Sequence, residues 1–272
     1  MQRITTHGLN MPKLGLGTWP MRGEECTGAV LSALALGYRH IDTAAMYGNE
    51  AEVGAALAQT PVARADIHVT TKVWPDNFAP DAMRRSLEAS LASLRTGYVD
   101  LFLLHWPRPD TDLPKTLETL VRLKDDGLAR AIGVSNFTVA LMRRAVEEVG
   151  APIACNQVEY HVLLDQSKVL AYARAHGIAV TAYAPLARGE LARHPAVQRI
   201  AEKHGATVEQ VALKWLLDQD GVAAIPKAAR AASQQTNLDA LNVTLDDADR
   251  AAIAALPKDV RIVKAGWPMD WD

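Results

Sequence analysis

The amino-acid sequence predicts a single (β/α)8 TIM barrel, an α/β fold in which eight parallel strands alternate with helices. Three observations support this prediction. Short apolar runs alternate with longer amphipathic segments, eight such runs occur, and 272 residues is a usual size for one barrel domain. Strands that are separated by helices must run parallel. We therefore expect residues 1–272 to form one domain.

The eight apolar runs are short, and each is followed by polar or turn residues. Two of the segments between them have a clear helical period. Residues 79–94 place four apolar side chains on one face, and residues 138–149 follow a candidate N-cap at Asn136. The predicted strands comprise residues 14–17, 38–42, 67–71, 99–105, 131–134, 152–157, 178–183 and 222–225.

Three further segments lie outside the eight repeating units. Residues 2–11, with residues 7–10 as the turn, predict an N-terminal β-hairpin that closes the barrel floor. The alternative is a loosely held chain end. Residues 188–204, before the eighth strand, and residues 245–256, after the eighth unit, predict two extra helical segments.

The composition limits the classes of protein to which this chain can belong. With 29 basic and 31 acidic residues the net charge is −2, so no positive excess is available for a nucleic-acid backbone. The two cysteines, Cys26 and Cys155, are too few for a disulfide framework and fit a reducing compartment. No apolar run approaches the roughly 18 residues of a membrane span, and the N-terminus lacks an apolar signal region. We therefore expect a cytoplasmic protein that binds a small molecule and neither nucleic acid nor membrane.

Polar side chains follow three consecutive strands of the predicted barrel. Asp42 ends the second strand, with Tyr47 shortly after it, Lys72 follows the third strand, and His105 ends the fourth. Because active sites of such barrels lie at the carboxyl ends of the strands, these four side chains should converge on one rim. Each residue alone also has a structural explanation, as a helix cap, a loop tyrosine, a surface lysine or a core histidine. Their joint occurrence favours an active site.

The four residue types suit the protonation of a carbonyl oxygen. A phenol with an ordinary pKa of about 10 is a weak acid unless a nearby cation stabilises its phenolate. Lys72 can supply that charge to Tyr47, and Asp42 can keep Lys72 protonated and oriented. His105 can hydrogen-bond the substrate oxygen and place the carbonyl against Tyr47. Reduction of the carbonyl also requires a hydride donor, which a nicotinamide cofactor would provide.

Other motifs restrict the chemistry further. Residues 15–20 follow a strand but lack the third glycine of the Rossmann fingerprint, and the chain has no P-loop, so a dinucleotide must bind other loops. Without a His-Glu-x-x-His or Cys-x-x-Cys segment, no metal site is expected. Two other classes of function stay open. Lys72 could form a Schiff base in an aldolase or another lyase, or the chain could be a redox-sensing binding protein that retains a cofactor site.

Seven short motifs occur in order along nearly the whole chain: GLGTW at 15–19, GYRHIDTA at 37–44, YGNE at 47–50, TKVW at 71–74, HWP at 105–107, GVSNF at 133–137 and NQVEYH at 156–161. By these motifs the chain resembles the aldo-keto reductases, and within them the bacterial 2,5-diketo-D-gluconate and methylglyoxal reductases. The resemblance implies a monomeric barrel that reduces small aldehydes and ketones with NADPH. It also implies Tyr47 as the general acid, with Asp42 and Lys72 tuning it and His105 orienting the carbonyl.

The resemblance further implies where the cofactor lies. Ser135, Asn136 and Gln157 would hold the nicotinamide carboxamide, and Tyr183 would stack on the nicotinamide ring. The competing explanations are ordinary turn chemistry at the strand ends and a buried core tyrosine. The other implied cofactor contacts are Thr18 and Trp19 in the first motif, Pro185, Leu186 and Ala187 in a loop that covers the pyrophosphate, and Asn237 at the adenine.

The region after the eighth strand resembles the segment that grips the adenosine 2′-phosphate. Lys227 and Arg230, beside a helix N-terminus, favour an anion, although solvated surface charges are the alternative. The sequence departs from the family pattern here. Ala228 stands where a hydroxyl residue is common, Ser233 stands where a second arginine is common, and Thr236 replaces an acid beside Asn237. We therefore expect NADPH to be preferred and NADH to be usable.

Tryptophans dominate the predicted substrate pocket. Trp19, Trp74 and Trp106 lie near strand ends, next to Tyr47 and His105, and flat apolar walls would exclude water from the site. The tail segment, residues 257–272, contributes Trp267 or Trp271, unless these side chains only anchor the segment. Because this segment is short, the resemblance points to small carbonyl substrates rather than to steroid-sized ones.

Overall fold

Eight parallel strands form the centre of the structure, a computed structural model that describes residues 2–272. They pair in chain order, and the first and last of them close the sheet into a barrel, since the Gly15 N–H donates to the Ala224 carbonyl at 2.9 Å. The predicted (β/α)8 barrel is confirmed. A hairpin of β1 (Arg3–Thr6) and β2 (Leu9–Pro12) precedes the barrel strands. These are β3 (Leu16–Gly17), β4 (His40–Asp42), β5 (His68–Val73), β6 (Val99–Leu104), β7 (Ala129–Ser135), β8 (Ile153–Glu159), β9 (Ala179–Tyr183) and β10 (Val222–Ala224).

The helices surround the barrel and bury their apolar faces against the outer faces of the strands. Helix α3 (Pro80–Leu94) shows the pattern that the sequence predicts, with Met83, Leu87 and Leu91 in the main hydrophobic core. Among residues 2–272, no helix is long and apolar enough to cross a membrane. The helices are α1 (Gly23–Ala35), α2 (Glu50–Gln59), α3 (Pro80–Leu94), α4 (Leu113–Asp125), α5 (Val139–Arg143), α6 (Ser167–Ala175), α7 (Pro195–His204), α8 (Val208–Leu217), α9 (Ala231–Asp239) and α10 (Asp247–Ala254).

The N-terminal hairpin closes the floor of the barrel, as predicted. Leu9 and Met11 are buried against side chains that fill the barrel interior, including Leu101 and Leu103 of β6. The turn is shorter than expected, because Leu9 and Asn10 belong to β2 and pair with β1. Only residues 7–8 form it, both with positive φ, and this two-residue turn matches the twist of the flanking strands.

Polar residues extend two barrel strands beyond their predicted ends. β5 continues through Lys72, which pairs with Leu103, and β8 continues through Gln157 to Glu159. Because buried strands are expected to be mainly apolar, the predicted ranges, 67–71 and 152–157, end before Lys72 and Glu159. At the top of a barrel, polar side chains can instead point inward from within the strand.

Two predicted helical segments begin elsewhere than expected. Asn136 is not the N-cap of α5: Thr138 holds that position, and its side chain accepts from the Leu141 N–H at 3.4 Å. The helical segment predicted from residue 188 instead has left-handed backbone at Arg188, and α7 begins at Pro195. The second extra helix, α10, lies within its predicted range.

We expect Leu9→Ala to lower the free energy of unfolding by about 2–5 kcal/mol, because it leaves a cavity beneath the packed barrel interior. Thr5→Ala is the matched control, since Thr5 is exposed on the partner strand and its loss should change stability by no more than about 0.5 kcal/mol. Urea unfolding of the two variants measures the difference. Equal losses would show that the hairpin does not act as a plug.

Two neighbouring histidines on the barrel floor should make stability depend on pH. The rings of His40 and His68 are buried edge to face, with centroids 4.8 Å apart. Burial lowers the pKa of His40 to about 4 and that of His68 well below its ordinary value. The histidines of an unfolded chain take up protons as the pH falls below about 6.5. In the folded chain His40 and His68 stay neutral at that pH, so acid favours the unfolded state.

The free energy of unfolding should therefore fall by about 1 kcal/mol per pH unit for each such histidine as the pH decreases below about 6.5. His40→Asn should reduce this slope, and His7→Asn, at an exposed histidine, should not. Urea unfolding at a series of pH values measures both slopes. A slope in His40→Asn equal to that of the unmodified protein would contradict the assignment.

Candidate active site

A cleft of about 810 Å³ opens at the carboxyl ends of the barrel strands. Asp42, Tyr47 and His105 line it, and Lys72 lies directly beneath, so the structure brings the four predicted rim residues together. Tyr47 is placed by a single 3-10 turn, Ala45–Tyr47, which begins shortly after β4. The short turn keeps the phenol next to the strand end that carries Asp42.

Lys72 is completely buried and uses all three of its N–H donors. The ammonium donates to Asp42 Oδ1 at 2.5 Å, to the Thr43 carbonyl at 2.9 Å and to the Tyr47 hydroxyl oxygen at 3.3 Å. An ammonium has no acceptor, so Tyr47 must accept from Lys72. The hydroxyl hydrogen of Tyr47 is therefore free to point into the cleft.

Electrostatics set the protonation states of this group. Burial alone would lower the pKa of Lys72, but Asp42 and Tyr47 together raise it above its ordinary value, so the ammonium stays charged. Burial also raises the pKa of Tyr47; the Lys72 charge offsets this in part, as the sequence led us to expect, but does not outweigh it. The phenol thus keeps its proton at neutral pH, and the nearby charge stabilises the phenolate once the proton has left.

His105 is held as a neutral imidazole above Tyr47. The two rings lie edge to face, with centroids 5.5 Å apart. Burial, followed by the charge of Lys72, lowers the pKa of His105 well below its ordinary value. Its Nδ1 is buried without a hydrogen-bond partner among residues 2–272. Because a buried N–H without an acceptor is costly, the single proton is favoured on Nε2.

Gln157 connects this group to strand β8. Its Nε2 donates to Asp42 Oδ2 at 2.7 Å. Since a carboxylate only accepts hydrogen bonds, the amide orientation is fixed, and Oε1 faces away from Asp42. Both oxygens of Asp42 thus have a donor, one from Lys72 and one from Gln157.

Ser135, Asn136 and Tyr183 form a second hydrogen-bonded group in the same cleft. The Asn136 amide nitrogen donates to Ser135 Oγ and to the His105 carbonyl, both at 3.1 Å. The Tyr183 hydroxyl donates to Asn136 Oδ1 at 2.7 Å. Asn136 has φ of 63°, and these bonds hold its left-handed backbone. Asn136 therefore orients polar groups in the cleft and does not cap helix α5.

The other predicted cofactor residues are divided between the cleft and its surroundings. Thr18, Trp19, Pro185, Leu186 and Lys227 line the cleft. The three remaining positions do not line it. Ala187 is buried, Arg230 is exposed at the start of α9, and Asn237 is buried in α9.

Lys227 has a competing partner at the mouth of the cleft. Its ammonium lies 3.7 Å from Glu25 Oε1, and both side chains are largely exposed. Ala228 is buried and its carbonyl accepts from Gln234, so this position offers no side-chain donor toward the cleft. Lys227 is thus an exposed surface cation with an acidic partner rather than a prebuilt phosphate clamp.

Aromatic side chains form the walls beside Tyr47. Trp19 lies 5.1 Å from Tyr47, and Trp74 lies 5.3 Å from His105, as ring-centroid distances. Trp106 and Trp267 also line the cleft, as predicted. Trp271 does not line the cleft. Its ring packs against the Arg261 guanidinium, whose central carbon lies 3.8 Å from the ring centroid. The tail segment therefore uses one tryptophan in the cleft wall and one as an anchor.

The sequence did not point to several residues that line the cleft. Met46, Arg188, Glu209 and residues 263–266 belong to loops, a flanking helix and the tail segment. Met46 sits beside a predicted site residue and could have been inferred. The others reach the cleft only through tertiary folding, which leaves no local signal in the sequence.

Two other kinds of chemistry find less support in this geometry. Within residues 2–272, no group of three or more His, Cys, Asp or Glu side chains is arranged to hold a metal ion. A Schiff-base lysine must be a neutral, accessible amine, whereas Lys72 is buried, charged and bonded through all three N–H groups. This geometry disfavours the lyase alternative.

Comparison with known proteins gives a family match over most of the chain. The model of the aldo/keto reductase family matches residues 13–258. Methylglyoxal reductase DkgB of Escherichia coli O157:H7 is 43% identical over 266 residues, which are 96% of this chain and 99% of that protein. An aldo-keto reductase of Mycobacterium sp. (strain KMS) is 39% identical over 256 residues, which are 94% of this chain and 92% of that protein.

Solved structures of related proteins have the same fold as this chain. The crystal structure of a proposed 2,5-diketo-D-gluconic acid reductase B is 42% identical, has a TM-score of 0.96, and matches 100% of this chain and 98% of its own. A Gox0644 variant crystallised in complex with NADPH is 34% identical, with a TM-score of 0.91 and 97% and 96% of the two chains covered.

Proposed function

Because this chain belongs to the aldo/keto reductase family, a family of oxidoreductases that use nicotinamide cofactors, we propose that it reduces small aldehydes and ketones with NADPH and that Tyr47 donates the proton. The observation that carries this proposal is the bonding of Tyr47, whose oxygen accepts from Lys72 and whose hydrogen faces the cleft. Methylglyoxal and 2,5-diketo-D-gluconate are the first candidate substrates, because the relatives named for them match nearly the full chain.

The proton moves from the Tyr47 hydroxyl to the carbonyl oxygen of the substrate. As the O–H bond breaks, negative charge develops on the phenolate oxygen, 3.3 Å from the Lys72 ammonium. Asp42 holds Lys72 in place, and Gln157 holds Asp42. His105, neutral with its proton on Nε2, donates a hydrogen bond to the same carbonyl oxygen and fixes its distance from Tyr47.

The cleft fits a nicotinamide cofactor. A bound nicotinamide supplies the hydride that the carbonyl carbon accepts. Gln157 Oε1, turned away from Asp42, and Asn136 Oδ1 are acceptors suited to the carboxamide N–H groups, and the Tyr183 ring offers a flat apolar face. Thr18 Oγ1, buried without a partner among the described residues, offers a further polar contact at the edge of the cleft.

The loop that follows β9 is suited to the pyrophosphate. Ala184, Ala187 and Arg188 all have positive φ, a strained backbone that non-glycine residues adopt where surrounding contacts enforce it. Arg188 and Lys227 bring positive charge to the cleft. We propose that Pro185, Leu186 and Ala187 of this loop contact the pyrophosphate. We propose that Arg230 and Asn237, which lie beyond the cleft lining, contact the adenosine end of the cofactor.

We further propose that the enzyme acts as a monomer built from one domain. The free thiols of Cys26 and Cys155 are buried, and burial raises the pKa of each to about 12. Unreactive thiols of this kind fit the proposed cytoplasmic location.

Tyr47→Phe should lower kcat for methylglyoxal by about 10²- to 10⁴-fold with NADPH affinity retained, because the ring remains and the transferable proton is lost. Initial rates measure the first quantity and fluorescence titration of NADPH the second. Tyr98→Phe is the matched control, since Tyr98 packs between Arg64 and Arg130 away from the cleft. Near-normal turnover by Tyr47→Phe would refute the assignment of the proton donor.

The phosphate contacts missing at Ala228 and Ser233 should weaken the preference for NADPH over NADH. We expect the unmodified enzyme to turn over NADH as well as NADPH, and Lys227→Met to raise the KM for NADPH about tenfold while changing that for NADH by no more than about twofold. Glu25→Gln, which frees Lys227 from its partner, should not raise the KM for NADPH. An absence of any NADH rate at saturation would contradict the expectation drawn from Ala228 and Ser233.

A further inference from the structure

Glu159 is a buried acid that the proposed chemistry does not use. It is the last residue of β8, two positions after Gln157, so the two side chains leave the strand on the same face. Its side chain is completely buried at the top of the barrel. A buried carboxylate is costly unless donors surround it, so its partners indicate what it holds.

Three donors surround the Glu159 carboxylate, and two of them come from the tail segment. The backbone N–H groups of Ile262 and Val263 donate to Oε1 and Oε2, at 2.7 and 2.8 Å. His161 Nε2 lies 3.1 Å from Oε1. Because His161 Nδ1 accepts from the Leu163 N–H at 3.3 Å, the ring proton is on Nε2 and points at Glu159.

The charge state of Glu159 agrees with this arrangement. Burial would raise the pKa of Glu159, but the hydrogen bonds from His161, Ile262 and Val263 lower it below its ordinary value. The side chain is therefore an anion at neutral pH, which is the form that can accept from two consecutive backbone N–H groups at once.

The residues held by Glu159 lead directly into the wall of the active-site cleft. Val263 lines the cleft, as do the next four residues, 264–267. Trp267 ends this stretch, where its indole N–H donates to the Pro107 carbonyl at 2.8 Å and its ring faces Trp74. Glu159 and Pro107 thus fix the two ends of one wall, which has no strand or helix of its own.

We propose that Glu159 is a positioning residue that fastens residues 262–267 to the barrel and so shapes the part of the cleft that receives the carbonyl substrate. This role rests on the proposed carbonyl reduction. It acts through the tail segment, and the proton donor is held independently by Lys72. Loss of the fastening should therefore affect substrate binding more than the chemical step.

Glu159→Gln tests this role, because the amide keeps the shape but offers one acceptor oxygen and places an NH2 group against the second backbone N–H. We expect the KM for methylglyoxal to rise about tenfold and kcat to change by no more than about threefold. The size of this effect is that of one charge-assisted hydrogen bond, here the bond lost between residue 159 and the tail segment. The pH profile of kcat should not move. Glu159→Asp, which keeps the charge, should restore part of the lost affinity.

Glu147→Gln is the matched control. Glu147 also binds a histidine, with its Oε1 3.6 Å from His176 Nε2, but makes no hydrogen bond to the tail segment. The KM and kcat of the Glu147→Gln variant should equal those of the unmodified enzyme. A drop in kcat of Glu159→Gln without a change in KM would overturn the proposal, since it would show that Glu159 acts on the chemical step and not on substrate binding.

Hydrogen exchange separates this inference from the proposed function. In the unmodified protein, the amide protons of Ile262 and Val263 should be protected, and in Glu159→Gln their exchange should accelerate about tenfold or more. If the protein reduced no carbonyl, the proposed function would fail while exchange still tested the fastening. Unprotected exchange of both amides in the unmodified protein would overturn the fastening even if every variant of Glu159 failed to fold.

Discussion

The buried ion pair between Lys72 and Asp42 is the interaction on which the rest of the site depends. Exposed fractions of 0% and 2% place both side chains out of water, where an ion pair stabilises a fold only if its remaining donors and acceptors are also satisfied. Thr43, Tyr47 and Gln157 complete that set. Since these groups come from β4, the turn after it, β5 and β8, a shift of any of these elements would leave a buried charge without a partner.

This requirement also explains how a tyrosine can serve as the acid. The ammonium must donate to the phenol oxygen because its other two donors are already engaged, and the phenol hydrogen then has only the cleft to face. Burial keeps the pKa of Tyr47 high, so the proton is present before reaction, while the fixed charge of Lys72 stabilises what remains afterwards. In the reaction that we propose, the same geometry therefore holds the structure together and directs the proton.

The sequence predicts the parts of this site that follow from strand ends and fails where tertiary contacts decide. Asp42, Lys72 and His105 are recognisable because the carboxyl ends of parallel strands meet at one rim, and Leu9 and Met11 alternate as a hairpin plug should. The sequence suggests Asn136 as a helix cap because capping propensity is local, whereas its bonds to His105 and Tyr183 form only in the closed barrel. Residues 263–266 carry no periodicity, so nothing local predicts that they line the cleft.

Strand β8 shows how one element can serve two separable purposes. Gln157 and Glu159 share a face, yet the first holds the acid that orients Lys72 and the second binds the backbone of Ile262 and Val263, where the cleft wall begins. At its Glu159 end the wall is fastened by backbone N–H groups, which every residue type except proline provides, so the side chains of Ile262 and Val263 are free to vary without loosening that attachment. The hydrogen-bonded group around Lys72, in contrast, depends on the specific side chains of Asp42, Tyr47 and Gln157. If Tyr47 is the proton donor, as we propose, a barrel built in this way can change the carbonyl that it accepts while the proton donor and its charge environment stay fixed.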